Sequence, residues 1–409
     1  MHAFIAGFYR LSWIALVTSG TWGSGAWADK IGGSNLPSTQ PVLKGRITSE
    51  TDAASAFLIG SNIGATTNAG PTLSEISSIF IDRIFGFAAV RATELGRLDV
   101  SVTLSDRLYA AFDEANEASG GLAMNLTKDW GGQQTLLSFA MSKTRDVEER
   151  ILETGLALSH AWTSGQAKPY FKGEVALLNY DDVPGAFLPF SNQDDRDRIS
   201  SRAQIGLRLT LTDHIEMEVG AGADSKRYLD TYDDFGVRRG NVSLFPVIGL
   251  TYTGTAFTLS GLYMPLWRTY EEDLFRSRWK HAFALEGGAQ LSSDLKAFGA
   301  VRYGFYETDF LVASSAYEAV AVGGLTLSVG KGTLSFAVSE TWRTYDDLDL
   351  MFIERADRKF EMALSGELPI TESTTMNARV SYLDYRSSFD DVSTDAFSAS
   401  LGLTYAAVQ

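Results

Sequence analysis

Apolar and polar residues alternate with period two along most of the chain from Gly96 onward. In LDVSVTL, Leu98, Val100, Val102 and Leu104 share one face while Asp99, Ser101 and Thr103 share the other. RAQIGLRLTL sets Ala203, Ile205, Leu207 and Leu209 against Arg202, Gln204 and Arg208. FSASLGLTY sets Phe397, Ala399, Leu401, Leu403 and Tyr405 against Ser398, Ser400, Gly402 and Thr404. Successive side chains of a strand point to opposite faces, so each run predicts a long strand with one apolar face.

Two kinds of connection separate the runs. Short ones, rich in Gly, Asp, Ser and Thr as tight hairpins require, fall near 94–96, 130–132, 164–166, 212–213, 253–254, 292–294, 330–332 and 370–373. Longer ones fall near 68–76, 111–119, 144–150, 181–198, 229–239, 271–278, 309–317, 346–356 and 387–394. The two kinds alternate without a break. This predicts an all-β chain folded as a transmembrane antiparallel up-and-down β-barrel of about 18 strands, with 16 and 20 as the neighbouring even counts. Short turns and both termini lie on one side, and long acidic loops on the other. A soluble sandwich would mix connection lengths through Greek-key jumps. One phase slip interrupts the pattern: Val320 and Val322 give way to Leu325 and Leu327, so a bulge is expected at Gly323-Gly324.

Phase also explains a repeated motif, WRTYEED from Trp267 and WRTYDDL from Trp342. Each tryptophan continues the apolar face of its run, so Arg268, Tyr270, Arg343 and Tyr345 face the other way. An indole has an apolar body and one N–H donor, which suits the headgroup boundary of a bilayer. Trp267, Trp279 and Trp342 therefore read as a membrane-interface belt at the long-loop end, and Trp130 and Trp162 as one at the short-turn end.

The opposite face is the expected lumen. It collects Arg107, Arg202, Arg208, Lys226, Arg268, Lys280, Arg302, Arg343 and Arg379, with Tyr270, Tyr306 and Tyr345 near the rim and Glu174, Glu216, Glu218, Glu286, Glu361 and Glu367 among them. Guanidinium groups bind carboxylates and sulfates through paired donors, which makes these pore-lining residues candidates for contact with an anionic sugar. The competing reading is that Arg and Glu pair across neighbouring strands and stiffen the wall. A candidate selectivity ring is Arg268, Arg302 and Arg343 with Arg107 and Arg202. The apolar centre of the 181–198 connection, Phe187 to Phe190, is expected to fold onto the mouth as a gate.

Composition narrows the classes. Mean hydropathy is −0.04, as expected when polar and apolar faces average out. A net charge of −15 argues against nucleic acid as a partner. With no cysteine, disulfides, thiolate metal sites and cysteine nucleophiles are excluded, and no metal or cofactor motif appears. Arg10, the apolar run LSWIALV and the small-x-small site Ala26-Trp27-Ala28 read as a signal peptide over 1–28, cleaved before Asp29. Residues 29–55 carry no period and read as a periplasmic linker or small plug, leaving 56–409 as the barrel. That places the protein in the outer membrane of a Gram-negative bacterium. Its partners are then outer-membrane lipid and the barrel insertion machinery.

The stretch GSNIGATTNAG, the paired runs IFGFAAV and GRLDVSVTLSDRLYA, and the terminal FSASLGLTY together resemble the broad family of outer-membrane β-barrel porins, some of which accompany exopolysaccharide export. The resemblance implies a channel for hydrophilic solutes, saccharide above all, with an anionic exopolysaccharide leaving the cell and periplasmic polysaccharide export components as partners. The competing classes are a non-transport surface barrel, either adhesin or assembly platform, and a barrel lipid hydrolase. Of the four histidines, His160 and His281 fall on the apolar face and His214 in a turn, so that no catalytic set is expected beyond a weak pairing of His281 with Ser277.

Overall fold

The computed structural model describes residues 53–67, 77–111, 116–145, 150–180, 197–230, 238, 240–271, 278–307, 315–345, 356–388 and 394–408. The expected signal peptide, nearly all of the linker or plug, and most of the long connections, including Phe187 to Phe190, lie outside the described residues. Every described alternating run is a strand. The first six are β1 (Ala53–Thr66), β2 (Ser78–Thr93), β3 (Gly96–Tyr109), β4 (Glu117–Asp129), β5 (Gln133–Arg145) and β6 (Arg150–Trp162). The next six are β7 (Ala167–Tyr180), β8 (Arg198–Thr210), β9 (Ile215–Tyr228), β10 (Asn241–Thr253), β11 (Phe257–Tyr270) and β12 (Arg278–Gln290). The last six are β13 (Leu295–Glu307), β14 (Ser315–Val329), β15 (Gly332–Tyr345), β16 (Ala356–Pro369), β17 (Thr374–Ser387) and β18 (Thr394–Val408).

Each strand pairs antiparallel with the next, and β18 returns to pair with β1 from Ala56↔Val408 to Thr66↔Ser398, which closes the circuit. Closure matters because hydrocarbon offers no hydrogen bonds: an open sheet edge would leave backbone groups unsatisfied at several kcal/mol each. The eight short turns stand where the sequence places them. Gly131 (φ +72°) and Gly330 (φ +61°) supply the left-handed backbone that such turns demand. β1 takes in Ala53, Ala54 and Ser55 from the end of the expected linker segment.

The ladder contradicts the expected bulge. β14 keeps one register against β13 from Leu295↔Leu327 to Glu307↔Ser315, and one against β15 from Ala316↔Tyr345 to Val329↔Gly332. Val320 and Val322 therefore share the face of Arg302 and Arg343 and point inward. Their outward neighbours are Ala319, Ala321 and Gly323. The apparent slip arises because small residues occupy the outer face and branched ones the inner.

Large apolar side chains of the other phase form the outer belt: Phe85 and Phe87 on β2, Ile205 on β8, Leu244, Ile248 and Leu250 on β10, and Leu401 and Leu403 on β18 are all exposed. The five tryptophans among the described residues lie on this belt and are exposed. Trp267 and Trp279 stand directly opposite in the β11–β12 ladder with ring centroids 5.6 Å apart, edge to face. At the short-turn end, Trp130 Nε1 donates to Thr135 Oγ1 at 3.0 Å, Thr135 bonds His160 at 2.8 Å, and Trp162 packs edge-on to His160 at 4.9 Å.

The inward face is not uniform. Along β1, β2 and β10 nearly every inward side chain is buried. Leu58 is 1% exposed although its cross-strand neighbours are only Gly86 and Ala406. One buried cluster gathers Ala56, Leu58, Ile84, Ala88, Val90 and Ala406, and another Phe245, Val247, Met264, Leu266 and Ala282. These stretches lie half-way round the circuit from one another. At the second, contacts skip strands: Asp224 on β9 reaches Arg268 on β11 at 3.8 Å, and Arg202 Nη2 on β8 reaches Met264 Sδ on β11 at 3.5 Å. The inner wall is therefore closely packed along two arcs, corners at β18–β3 and β7–β12.

Candidate functional site

The inner wall carries the candidate chemistry, most of it along the two closely packed arcs. Strands β7 to β12 form a corner lined by Lys168, Lys172, Arg198, Arg202, Arg208, Lys226, Arg268 and Lys280, against the carboxylates of Glu174, Glu216, Glu218, Asp224 and Glu286. Eight cations face five acids on those named residues. The period-two phase of β7 places Lys168, Tyr170, Lys172 and Glu174 inward together, and the same phase on β8 gives Arg202, Gln204 and Arg208.

A network joins them. Tyr170 Oη donates to Glu218 Oε1 at 2.6 Å and accepts from Gln204 Nε2 at 2.6 Å. Lys168 Nζ donates to Glu216 Oε2 at 2.9 Å, and Arg208 Nε lies 3.4 Å from Glu218. The Tyr170 ring has Lys172 Nζ 5.1 Å and the Arg208 guanidinium 5.2 Å from its centroid. Arg202 lies 4.6 Å over Phe245. Toward the long-loop end, Arg198 stands near the rings of both Tyr180 and Tyr228, at 5.7 and 5.9 Å. Arg268 and Lys280 are each 1% exposed; Arg268 Nε donates to Ser243 Oγ at 2.7 Å and Lys280 Nζ to Tyr270 Oη at 2.9 Å. Cations over aromatic faces keep their charge while losing water, which raises the field they exert on a passing solute.

At the second corner Arg107 and Asp82 form a buried two-point pair, Nε to Oδ1 at 2.7 Å and Nη2 to Oδ2 at 3.0 Å, with the guanidinium 4.3 Å over Phe80. Arg302 and Arg343 lie between the corners, on β13 and β15, each beside a carboxylate: Glu286 at 3.7 Å and Glu318 at 2.5 Å. Arg379 faces inward and is exposed. Tyr306 and Tyr345 sit on β13 and β15, with side chains outside the described set.

The expected selectivity ring is thus resolved into three places. Arg202 and Arg268 share one corner, Arg107 occupies the other, and Arg302 and Arg343 stand on the wall between. Arg107, Arg208, Arg268, Arg302 and Arg343 each have a carboxylate within 4 Å: the wall is cross-paired, and among the described residues of the β7–β12 corner cations exceed acids. Sequence reasoning passed over Lys168, Tyr170, Lys172, Arg198, Asp82 and Asp224; extending the phase along KPYFKGEV and back to Arg198 is the signal that finds most of them. His281 bonds Tyr263 Oη at 2.9 Å and stacks on its ring, on the outer face. Ser277 lies outside the described residues.

The outward apolar belt, the two tryptophan levels and the closed ladder make this a membrane-spanning barrel of the outer-membrane kind. No family model matches the sequence, and no curated protein matches it. Among solved structures, the outer membrane protein OpdK from Pseudomonas aeruginosa is similar with a TM-score of 0.50 and 10% identity, over 88% of this chain and 99% of that one. OccAB4 from Acinetobacter baumannii is similar with a TM-score of 0.49 and 11% identity, over 88% and 99%. The siderophore receptor PirA from Pseudomonas aeruginosa is similar with a TM-score of 0.45 and 10% identity, over 88% and 81%. At such identities the likeness to OpdK establishes the fold: an 18-strand outer-membrane barrel.

Proposed function

We propose that the protein is a porin-like channel of the Gram-negative outer membrane that passes hydrophilic solutes, and that its solute is an anionic saccharide. The observation that carries this reading is the β7–β12 corner, where cations exceed acids and lie against aromatic rings. Guanidinium and ammonium groups attract carboxylate or sulfate, while ring faces suit the apolar face of a sugar. Export of an anionic exopolysaccharide, with periplasmic export components as partners, is the extended form of the same reading. The 181–198 connection is its gate, and the segment before β1 its periplasmic linker or small plug. Insertion depends on the barrel insertion machinery.

Planar-bilayer recording tests it. In a salt gradient the protein should conduct with anion preference, and a uronic-acid oligosaccharide should interrupt the current more than a neutral one of equal length. Lys172→Gln with Arg202→Gln should move the reversal potential toward cations by a few-fold in permeability ratio, since each charge acts in a constricted, partly dehydrated lumen. Equal block by charged and neutral sugars would remove the saccharide charge from the proposal. A silent bilayer, with and without the 181–198 connection, would favour the adhesin or assembly class.

A further inference from the structure

The lipid-facing side of the barrel holds charges that the lumen does not explain. Arg358 on β16 shares the phase of Met362 and Leu364, and Arg386 on β17 that of Val380, all exposed on the apolar belt. The two arginines are directly opposite in the ladder, and Arg358 is directly opposite Trp342 on its other side. All three therefore lie in one row at the long-loop tryptophan level, the boundary of the outer leaflet. Their side chains are 56% and 62% exposed.

One row deeper, Glu340 and Asp384 flank Phe360. Arg358 Nε donates to Glu340 Oε1 at 2.5 Å and Arg386 Nε to Asp384 Oδ1 at 2.7 Å. Each carboxylate takes Nε, and among the described residues the Nη groups of both arginines make no hydrogen bond. The pairing fixes two adjacent guanidinium planes at headgroup depth with their amino edges available. A third outward pair, Arg83 with Asp106, differs: Nε and Nη2 both engage the carboxylate.

We infer that Arg358 and Arg386 form a binding site for the phosphate headgroup of an outer-leaflet lipid, with Trp342 seated beside its glycerol or sugar backbone. Paired N–H donors match phosphate oxygens, and the donor edges of two guanidiniums side by side suit a phosphomonoester better than a zwitterionic headgroup. The site is independent of which solute crosses the lumen.

The test uses the full barrel with Trp130, Trp162, Trp267 and Trp279 replaced by phenylalanine, so that Trp342 reports for the strands. It is reconstituted in phosphatidylcholine vesicles containing either brominated phosphatidic acid or brominated phosphatidylcholine at the same mole fraction. Quenching of Trp342 should be at least about twofold stronger with phosphatidic acid, the preference expected of a charge-assisted two-point contact. In Arg358→Ala/Arg386→Ala the ratio should fall to about one, and in Arg83→Ala it should persist. Heat-modifiable migration confirms folding of each variant, and Arg358→Lys/Arg386→Lys, which keeps charge but loses the planar donors, should give an intermediate ratio. An unchanged ratio in the double alanine variant overturns the inference. So does loss of the preference on adding inorganic phosphate at the lipid's concentration, or a detergent-solution dimer that the double variant abolishes, because the row would then serve free phosphate or a second copy of the chain.

Discussion

Single residues show how far a strand pattern can be trusted. Alternation told which way Arg268 and Arg343 point, because a one-residue slip would have turned Trp267 and Trp342 inward. It did not tell what they touch. Arg343 Nε donates to Glu318 Oε2 at 2.5 Å, with both side chains about four-fifths buried, at 21% and 17% exposure. Partner identity depends on which strand lies alongside and in what register, and a single run of sequence carries neither. The pair makes a prediction. Arg343→Ala leaves a half-dry carboxylate and should cost about 1–3 kcal/mol of stability in urea unfolding from detergent micelles. Arg343→Gln with Glu318→Gln should recover at least half of that loss. A double variant no better than the single would show that the two side chains are not coupled. The same logic explains why Arg358 and Arg386 escaped notice: they continue an apolar phase at positions where tryptophan alone was sought.

Elements add a feature that period two hides. On the inner face, four rings lie over the glycine directly opposite: Phe80 over Gly64, Tyr170 over Gly206, Phe245 over Gly222 and Phe298 over Gly324. A Cβ at these glycines would stand 2.4 to 2.5 Å from the ring or its hydroxyl. The ring covers backbone that glycine leaves bare, and the glycine lets the ring lie flat. Three of the four pairs belong to the corners, where flat rings take least room. A strand glycine's cross-strand aromatic is invisible in the sequence until register is known. Gly222→Ala should lift Phe245 and with it the Arg202 guanidinium stacked on that ring at 4.6 Å. The expected result is a loss of about 1–3 kcal/mol, as for other overpacked sites, together with a shift in reversal potential. Phe245→Leu with Gly222→Ala should restore the stability but not the selectivity. Restored selectivity would mean that Arg202 is placed by something other than this ring. β14 teaches the same lesson in reverse, since Val320 and Val322 mimic an outer face only because Ala319, Ala321 and Gly323 leave theirs so plain.

At the scale of the whole molecule, strand number, turn order and the two tryptophan levels were all legible, because each follows from hydrophobic phase and connection length. The packing of the inner wall was not. Only the closed ladder shows Leu58, Ile84 and Ala406 sharing one corner. Closure itself is the strongest claim about the molecule and the easiest to break. The β1–β18 seam runs from Ala56↔Val408 to Thr66↔Ser398, and ending the chain after Leu403 removes its partners from Ala56 through Gly60. β17 would lose Tyr405 and Thr404 opposite Thr374 and Thr375 as well. The bare edge would leave backbone donors and acceptors at the membrane boundary, each costing up to several kcal/mol where water is excluded. The truncated chain should then fail to acquire heat-modifiable migration and resistance to trypsin, whereas removal of Gln409 alone should change neither. Refolding in pure detergent, with no cellular factors present, separates this from loss of a terminal signal read by the insertion machinery. If the truncated chain refolds there as completely as the full one, closure does not depend on this end of the seam, and any defect seen in cells belongs to recognition by that machinery. If it fails in detergent too, the last strand holds the barrel shut by its own hydrogen bonds.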